Sequence, residues 1–135
     1  MNLQAYIFRP LLMVFLLFGQ VARAGPEETA GLVLAALSAG DAQALSGHLN
    51  KMIDLGIPGS EGTYSKTQAT RILQDFFQKN PVSSLKISKQ GDSADGSYFS
   101  LGEMKAGGKI YRIYYLLKSV DGEYKVQLLQ IQEPG

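Results

Sequence analysis

The chain has 135 residues, with 13 lysine and arginine side chains against 12 aspartate and glutamate side chains, and it contains no cysteine. This length supports one domain at most, and the lack of cysteine excludes a disulfide framework. The nearly neutral charge gives no electrostatic basis for binding nucleic acid, which depends on clustered lysine and arginine. A core of this size can support a fold without metal ions or disulfides.

Residues 1–24 have the composition of a secretory signal peptide. Arg9 closes a short positive leader, Leu11–Phe18 is an unbroken apolar run, and an Ala-Arg-Ala triplet ends at Ala24. The run is too short for a membrane-spanning helix, which needs about 20 apolar residues. We therefore expect cleavage near Ala24 and export to the periplasm or beyond, with an uncleaved anchor as the alternative. The mature chain, residues 25–135, is expected to form a single domain with no membrane span.

The first half of the mature chain carries helical patterns. Residues 27–38 have apolar side chains at helical spacing behind two glutamates, and Gly40 ends this segment. Asp41 is predicted to cap a second, shorter helix. The apolar face of that helix is predicted to contain Ala42, Leu45, Leu49 and Met52. The alternating residues 52–57 then suit a short strand or an extended link.

A third helix is predicted over residues 65–79. Ser65 and Gln68 have the spacing of a capping box, in which each side chain binds a free backbone N–H group of the first turn. One apolar stripe follows, made of Ala69, Ile72, Leu73, Phe76 and Phe77. Asn80, in a left-handed conformation, and Pro81 are predicted to stop the helix. We expect the two phenylalanines to pack against a sheet.

The second half of the mature chain predicts strands separated by tight turns. The dipeptides Asp95-Gly96, Gly107-Gly108 and Asp121-Gly122 favour the positive φ angles of hairpin turns. They divide the sequence into four strands of an antiparallel meander, near residues 84–91, 97–106, 109–119 and 123–132. Strands of this length must twist and bend, and glycines 91 and 102 are candidate bend or bulge positions.

The third of these strands has apolar or aromatic side chains on both faces. One face carries Tyr111, Ile113, Tyr115 and Leu117, and the other carries Ile110, Arg112, Tyr114 and Leu116. The preceding helices can cover only one face, so the other is predicted to be an exposed apolar patch or a partner surface. We therefore expect a homodimer through the sheet. Val126 and Leu128 of the last strand add to this pattern, with a β-bulge as the competing explanation.

This order of elements resembles the cone-shaped nuclear transport factor two-like fold of the cystatin-like class. That is an α+β fold, with three amino-terminal helices packed on a curved four-stranded antiparallel meander. More narrowly, the chain resembles an uncharacterised Bacteroidota family, domain of unknown function 4783. The resemblance is carried by Gly40, Asp41, Tyr64, Ser65, Lys66, Gln68, Ala69, Ile72, Leu73, Phe76, Phe77, Asn80, Pro81, Leu101, Gly102 and residues 111–118. These are mostly cap, turn and core positions, so the resemblance implies an architecture rather than an activity.

Common catalytic and cofactor patterns are missing from the sequence. His48 is the only histidine, so the usual histidine-containing zinc sites lack ligands, and we expect an exposed surface residue. The Gly107-Gly108 pair joins two strands, so no helix amino terminus follows it to bind a phosphate. We predict no metal site, no catalytic residue and no cofactor.

The resemblance in fold extends to the ketosteroid isomerases, which use a pocket carboxylate as base and a tyrosine hydroxyl as acid. This implies Asp54 or Glu103 as a candidate base. The candidate acids are Tyr98, Tyr111, Tyr114 and Tyr115. An apolar pocket would raise the pKa of such a carboxyl group. The opposing interpretation is that both carboxylates are solvated and the tyrosines are core or interface aromatics.

Arg112 lies in the middle of a strand, where a buried guanidinium group needs an acidic partner. It is a candidate for binding an acidic ligand at the mouth of the cone, and pairing with Glu103 across the hairpin is the alternative. The candidate ligand-binding residues are Arg112, Tyr114, Tyr98 and Asp54. We predict a non-catalytic module that binds a small molecule or a protein through a cone-shaped cavity or a sheet face. The alternatives are a small isomerase or dehydratase and a module that acts by strand addition.

Overall fold

The computed structural model describes residues 23–134. In chain order the elements are α1 (Pro26–Ser38), α2 (Ala42–Ser46), β1 (Leu49–Ile57), β2 (Ser60–Ser65), α3 (Lys66–Lys79), β3 (Val82–Asp92), β4 (Tyr98–Ala106), β5 (Lys109–Val120) and β6 (Glu123–Gln132). The predicted signal peptide lies outside the described residues except for its last two positions.

The strands form a six-stranded mixed sheet in the order β2-β1-β6-β5-β4-β3. The last four strands are the predicted antiparallel meander, within two residues of the predicted bounds. The prediction of a four-stranded sheet was wrong, because a hairpin of β1 and β2 joins the sheet and β1 pairs in parallel with β6. The sequence of β2 lacks apolar alternation, so no local pattern indicated this strand.

The predicted second helix is shorter than expected. It ends at Ser46, and Leu49 and Met52 belong to β1 rather than to a helical face. Val126 of β6 donates its backbone N–H to the carbonyl oxygen of His48 at 2.7 Å, and Leu49 lies opposite Val126 in the sheet. Pairing with a distant strand therefore overrides the helical spacing of these residues.

Helix α3 forms as predicted. Ser65 accepts a hydrogen bond from the backbone N–H of Gln68 at 3.2 Å, and the Gln68 side chain accepts one from the backbone N–H of Ser65. The prediction that Asn80 is left-handed was wrong, since its φ is −131°. Asn80 instead ends the helix through its side chain, whose Nδ2 donates to the carbonyl oxygen of Phe76 at 3.0 Å.

Helices α1 and α3 cover one face of the sheet, which we call the inner face. Phe76 and Phe77 are 7% and 5% exposed and pack there, as predicted. The inner face is filled by side chains that are at most 1% exposed, including Leu73, Met104, Ile113, Tyr115 and Leu129. The interior of the fold is therefore packed with side chains.

We call the opposite face of the sheet the outer face. It carries the half-buried and exposed side chains that alternate with the buried ones along each strand. Bulges or register shifts interrupt the alternation at several places, among them one in β3 between Ile87 and Lys89 and one in β6 between Val126 and Leu128. The second bulge lets Val126 and Leu129 both face inward while Leu128 faces outward. The competing explanation for the apolar pattern of the last strand is therefore confirmed.

Candidate functional site

The four predicted ligand-binding residues do not come together. Arg112 and Tyr114 are neighbours on the outer face of β5. Asp54 is also on the outer face, but β6 separates its strand from β5. Tyr98 is on the inner face at the start of β4, where burial raises the pKa of its hydroxyl and the nearby Glu27 and Asp92 add to this effect.

Arg112 lies directly opposite Glu103 in the sheet, which is the position needed for the two side chains to pair across the hairpin. Both side chains are exposed, and among the described residues they do not approach within the 4.0 Å of an ion pair. Together they line an open depression of 240 Å³ with Leu101, Ile110 and Pro134 among its walls. Because the guanidinium group of Arg112 is exposed, water can hydrate its charge and no buried acidic partner is required.

The carboxylates considered for isomerase chemistry are both exposed on the outer face. Asp54 accepts a hydrogen bond from the Thr63 hydroxyl at 2.7 Å, which is a surface contact between β1 and β2. The hydroxyl of Tyr115 is on the inner face and donates to the carbonyl oxygen of Ala30 at 3.3 Å. The sheet therefore lies between these carboxylates and the buried tyrosines.

His48 lies in the turn between α2 and β1 and is half-buried, so the prediction of an exposed surface histidine was wrong. It lines a shallow surface pocket of 210 Å³ with Leu32, Tyr124 and Lys125. Burial lowers the pKa of the imidazole, and the positive charge of Lys125 lowers it further. Both effects favour the neutral histidine.

A cleft of 310 Å³ opens at the end of the sheet where the β1–β2 turn, the last turns of α3 and the start of β5 meet. We call it the α3–β5 cleft. Its walls include Ile57, Pro58, Ser60, Ile72, Asp75, Phe76, Lys79, Asn80, Lys109, Tyr111 and Glu133. None of these was among the four predicted ligand-binding residues, although Tyr111 was a candidate acid.

The cleft combines an aromatic floor with a charged rim. The Phe76 and Tyr111 rings meet edge to face with their centroids 5.5 Å apart. At the rim, the Lys79 Nζ lies 3.1 Å from the Asp75 carboxylate and the Lys109 Nζ lies 3.2 Å from the Glu133 carboxylate. Glu133 raises the pKa of Lys109, first by the hydrogen bond and then by its charge, with a smaller contribution from Tyr111. These pairs place two ammonium and two carboxylate groups around the cleft.

The wall between α3 and β5 depends on a close approach of two backbones. The backbone N–H of Gly107 donates to the carbonyl oxygen of Pro81 at 3.0 Å, and Gly107 has a φ of 58°. A Cβ atom at this glycine would lie 2.9 Å from the Asn80 side-chain oxygen. The predicted turn glycine therefore also lets β5 start beside the end of α3.

A second depression of 650 Å³ lies on the other side of the β1–β2 turn, against the end of β6. It shares Ile57, Pro58, Ser60 and Glu133 with the α3–β5 cleft. The β1–β2 turn therefore separates two adjacent surface clefts. Sequence patterns could not locate them, because they depend on the unpredicted pairing of β1 with β6.

Among the described residues, no helix has the length and apolar character needed to cross a bilayer.

Comparison with known proteins agrees with this architecture. The sequence matches the family described as "Domain of unknown function (DUF4783)" over residues 31–132. A search of curated proteins finds no match.

Solved structures of the same family are similar to this chain. A DUF4783 family protein from Bacteroides ovatus ATCC 8483 is 29% identical, with a TM-score of 0.71, and the match covers 77% of this chain and 94% of that one. One from Bacteroides uniformis ATCC 8492 is 24% identical, with a TM-score of 0.72 and coverages of 78% and 96%.

An NTF-2 like protein of unknown function from Burkholderia xenovorans LB400 is 12% identical, with a TM-score of 0.60 and coverages of 81% and 84%. At this identity the likeness concerns the fold alone, which is the α+β nuclear transport factor two-like fold. Taken with the match over residues 31–132, these likenesses show that the chain belongs to the DUF4783 family.

Proposed function

We propose that this protein is an exported, non-catalytic binding module whose ligand site is the α3–β5 cleft. The proposed ligand is a small molecule that carries both an ammonium and a carboxylate group, such as an amino acid or a short peptide. Export is the expectation from the composition of residues 1–24. A binding role at the surface is consistent with an inner face that side chains already fill.

The observation that carries the proposal is that two exposed pairs of opposite charges line the same cleft as the Phe76 and Tyr111 rings. The Lys79–Asp75 and Lys109–Glu133 pairs are exposed, so each contributes little to stability. A zwitterionic ligand can replace one partner of each pair and make charge-assisted hydrogen bonds with the other. Its apolar part would then contact Pro58 and Ile72, which line the cleft and are more exposed than the Phe76 and Tyr111 rings.

Binding is favoured over isomerase chemistry by the positions of the acidic groups. A general base must lie within hydrogen-bond reach of the proton that it removes, in a site that excludes water. Asp54 and Glu103 are exposed on the outer face, while the α3–β5 cleft opens at the end of the sheet. The carboxylates of the cleft, Asp75 and Glu133, are each engaged by a lysine.

The test is an NMR titration of the mature chain with amino acids and dipeptides at millimolar concentration. We expect chemical-shift changes confined to residues 57–60, 72–80, 109–111 and 133, because these segments form the cleft. Lys109→Gln should weaken binding several-fold, since it removes one rim charge. Lys118→Gln is the matched control, because Lys118 is exposed on the same strand and outside the cleft.

Two results would contradict this proposal. One is the absence of localised shift changes with every zwitterionic probe. The other is a set of changes that Lys109→Gln and Lys118→Gln affect equally, which would indicate weak charge screening rather than a site.

A second part of the proposal concerns the outer face, through which we propose that the protein forms a homodimer. Partly exposed apolar side chains run across its centre: Phe99, Leu101, Ile110, Tyr114, Leu116 and Leu128. Ile110 is 48% exposed, and the Phe99 and Tyr114 rings stack with centroids 6.4 Å apart. The described helices cover only the inner face, which leaves this apolar face available to a partner.

A further inference from the structure

The outer face has unequal charge at its two ends. At one end, β1 and β2 present Asp54 and Glu61, which we call the acidic end. At the other, β3 presents Lys86 and Lys89, which we call the basic end. Among the described residues, neither lysine has a carboxylate within 4.0 Å. The apolar side chains lie between the two ends.

The strand register places Lys89 of the basic end and Glu61 of the acidic end in the same cross-strand row. Lys89 pairs with Leu101, Leu101 with Tyr114 and Tyr114 with Gln130. Gln130 pairs with Gly56, and Gly56 with Glu61, which completes a row across all six strands. The next row contains Leu116, Leu128 and Asp54 in neighbouring strands. Glu61 and Lys89 thus occupy opposite ends of the same row of the sheet.

Two copies can stack outer face to outer face about a two-fold axis in either of two main directions. An axis perpendicular to the strands would place β2 on β2 and β3 on β3. That arrangement sets Glu61 against its own copy and the two lysines against theirs, and like charges in contact are unfavourable. An axis parallel to the strands places β2 on β3 instead, so that each acidic end faces a basic end.

The parallel axis also matches the shapes of the two faces. It sets β4 over β1, so Leu101 lies above Gly56, whose missing side chain helps to form a depression of 260 Å³ lined by Asp54, Glu61, Leu128 and Gln130. It sets β5 over β6, so Leu116 lies against Leu128. Aligned sheets pack with a rotation of about 30°. This rotation displaces the facing edge strands from each other, and long lysine side chains can span that displacement.

The available area is near the lower limit for a specific dimer. Six strands spaced by about 4.8 Å span about 24 Å, and eight residues along a strand span about 26 Å. The resulting flat area of about 600 Å² approaches the roughly 800 Å² of accessible surface per partner in a standard interface.

We propose that two copies of this chain pack through their outer faces about a two-fold axis parallel to the strands, with the acidic end of each copy against the basic end of the other. This arrangement rests on the homodimer proposed above and specifies its geometry. It places Glu61 of one copy against Lys89 of its partner at two symmetry-related positions, with Asp54 one row to one side of this pair and Lys86 one row to the other side. The charges select the orientation, and the central apolar side chains supply most of the buried area.

Complementary charge reversal tests the orientation. The acidic-end variant is Asp54→Lys/Glu61→Lys, and the basic-end variant is Lys86→Glu/Lys89→Glu. Each alone should raise the dissociation constant of the dimer by about tenfold or more, because both interface ends then carry like charges. An equimolar mixture of the two variants should associate nearly as tightly as the wild type, since opposite charges meet again at both ends. Lys66→Glu/Arg71→Glu on α3 is the control and should leave association unchanged.

Light scattering after size-exclusion chromatography of residues 25–135, which contain every described helix and strand, gives the masses. A wild-type chain that stays monomeric at high micromolar concentration would overturn the homodimer itself. A wild-type dimer with variants that also dimerise normally would overturn only the orientation. Loss of association that mixing does not restore, in variants whose circular dichroism spectra match that of the wild type, would likewise reject the orientation.

Discussion

At the scale of single residues, Gly102 shows how one position without a side chain shapes the meander. It lies in β4 opposite Ile87, where the bulge in β3 brings the two backbones together. A Cβ atom at Gly102 would meet the carbonyl oxygen of Lys86 and would lie 3.1 Å from the Ile87 Cα. Both neighbours are backbone atoms in a paired strand, so they cannot move aside without disturbing the sheet.

We therefore predict that Gly102→Ala destabilises the fold by about 1 to 3 kcal/mol, the usual cost of overpacking. Gly91→Ala is the matched control, because Gly91 is also in this strand pair and its nearest contact for a Cβ atom is the Phe99 ring at 3.9 Å. Urea unfolding followed by circular dichroism measures both free energies. Equal stabilities of the two variants would show that the backbones at the bulge separate easily.

At the scale of elements, α3 is the helix that local sequence specifies most completely. Its capping box, its apolar stripe and its end at Asn80 were all predictable, because each depends on residues within one or two turns. The β1–β2 hairpin shows the opposite case. Four of the six residues of β2 are polar and much of the strand is exposed, so its pairing depends on β1, which in turn depends on β6.

Ser65→Ala should lower the free energy of unfolding by about 1 kcal/mol, since it leaves the backbone N–H of Gln68 without its acceptor in the first turn. Thr67→Ala is the control, as Thr67 is exposed in the same turn and its replacement should be neutral or slightly stabilising. Thermal and urea unfolding give the two values. A loss of stability in Thr67→Ala as large as in Ser65→Ala would mean that the cap itself contributes little.

At the scale of the whole molecule, the sequence predicts the meander, the covering helices and the buried Phe76 and Phe77, but it does not predict the width of the sheet. Turn glycines and alternation are local signals. The parallel contact between β1 and β6 joins segments more than 70 residues apart, and nothing in either segment specifies the other. The candidate cleft was missed for the same reason, because the β1–β2 turn forms one of its walls.

That parallel contact can be tested directly, because the chain contains no cysteine of its own. Asp54 and Leu128 are directly opposite in β1 and β6, within the Cα separation of about 4.4 to 6.8 Å that a disulfide spans. The double variant Asp54→Cys/Leu128→Cys should therefore form an intramolecular disulfide under mild oxidation. In Asp54→Cys/Leu116→Cys the two positions are two strands apart, about 9.6 Å, so the intramolecular bond should not form. Non-reducing electrophoresis and thiol titration distinguish this product from cross-linked dimers. Free thiols in the first variant, or equal intramolecular cross-linking in both, would rule out the six-stranded order and leave the meander as the whole sheet.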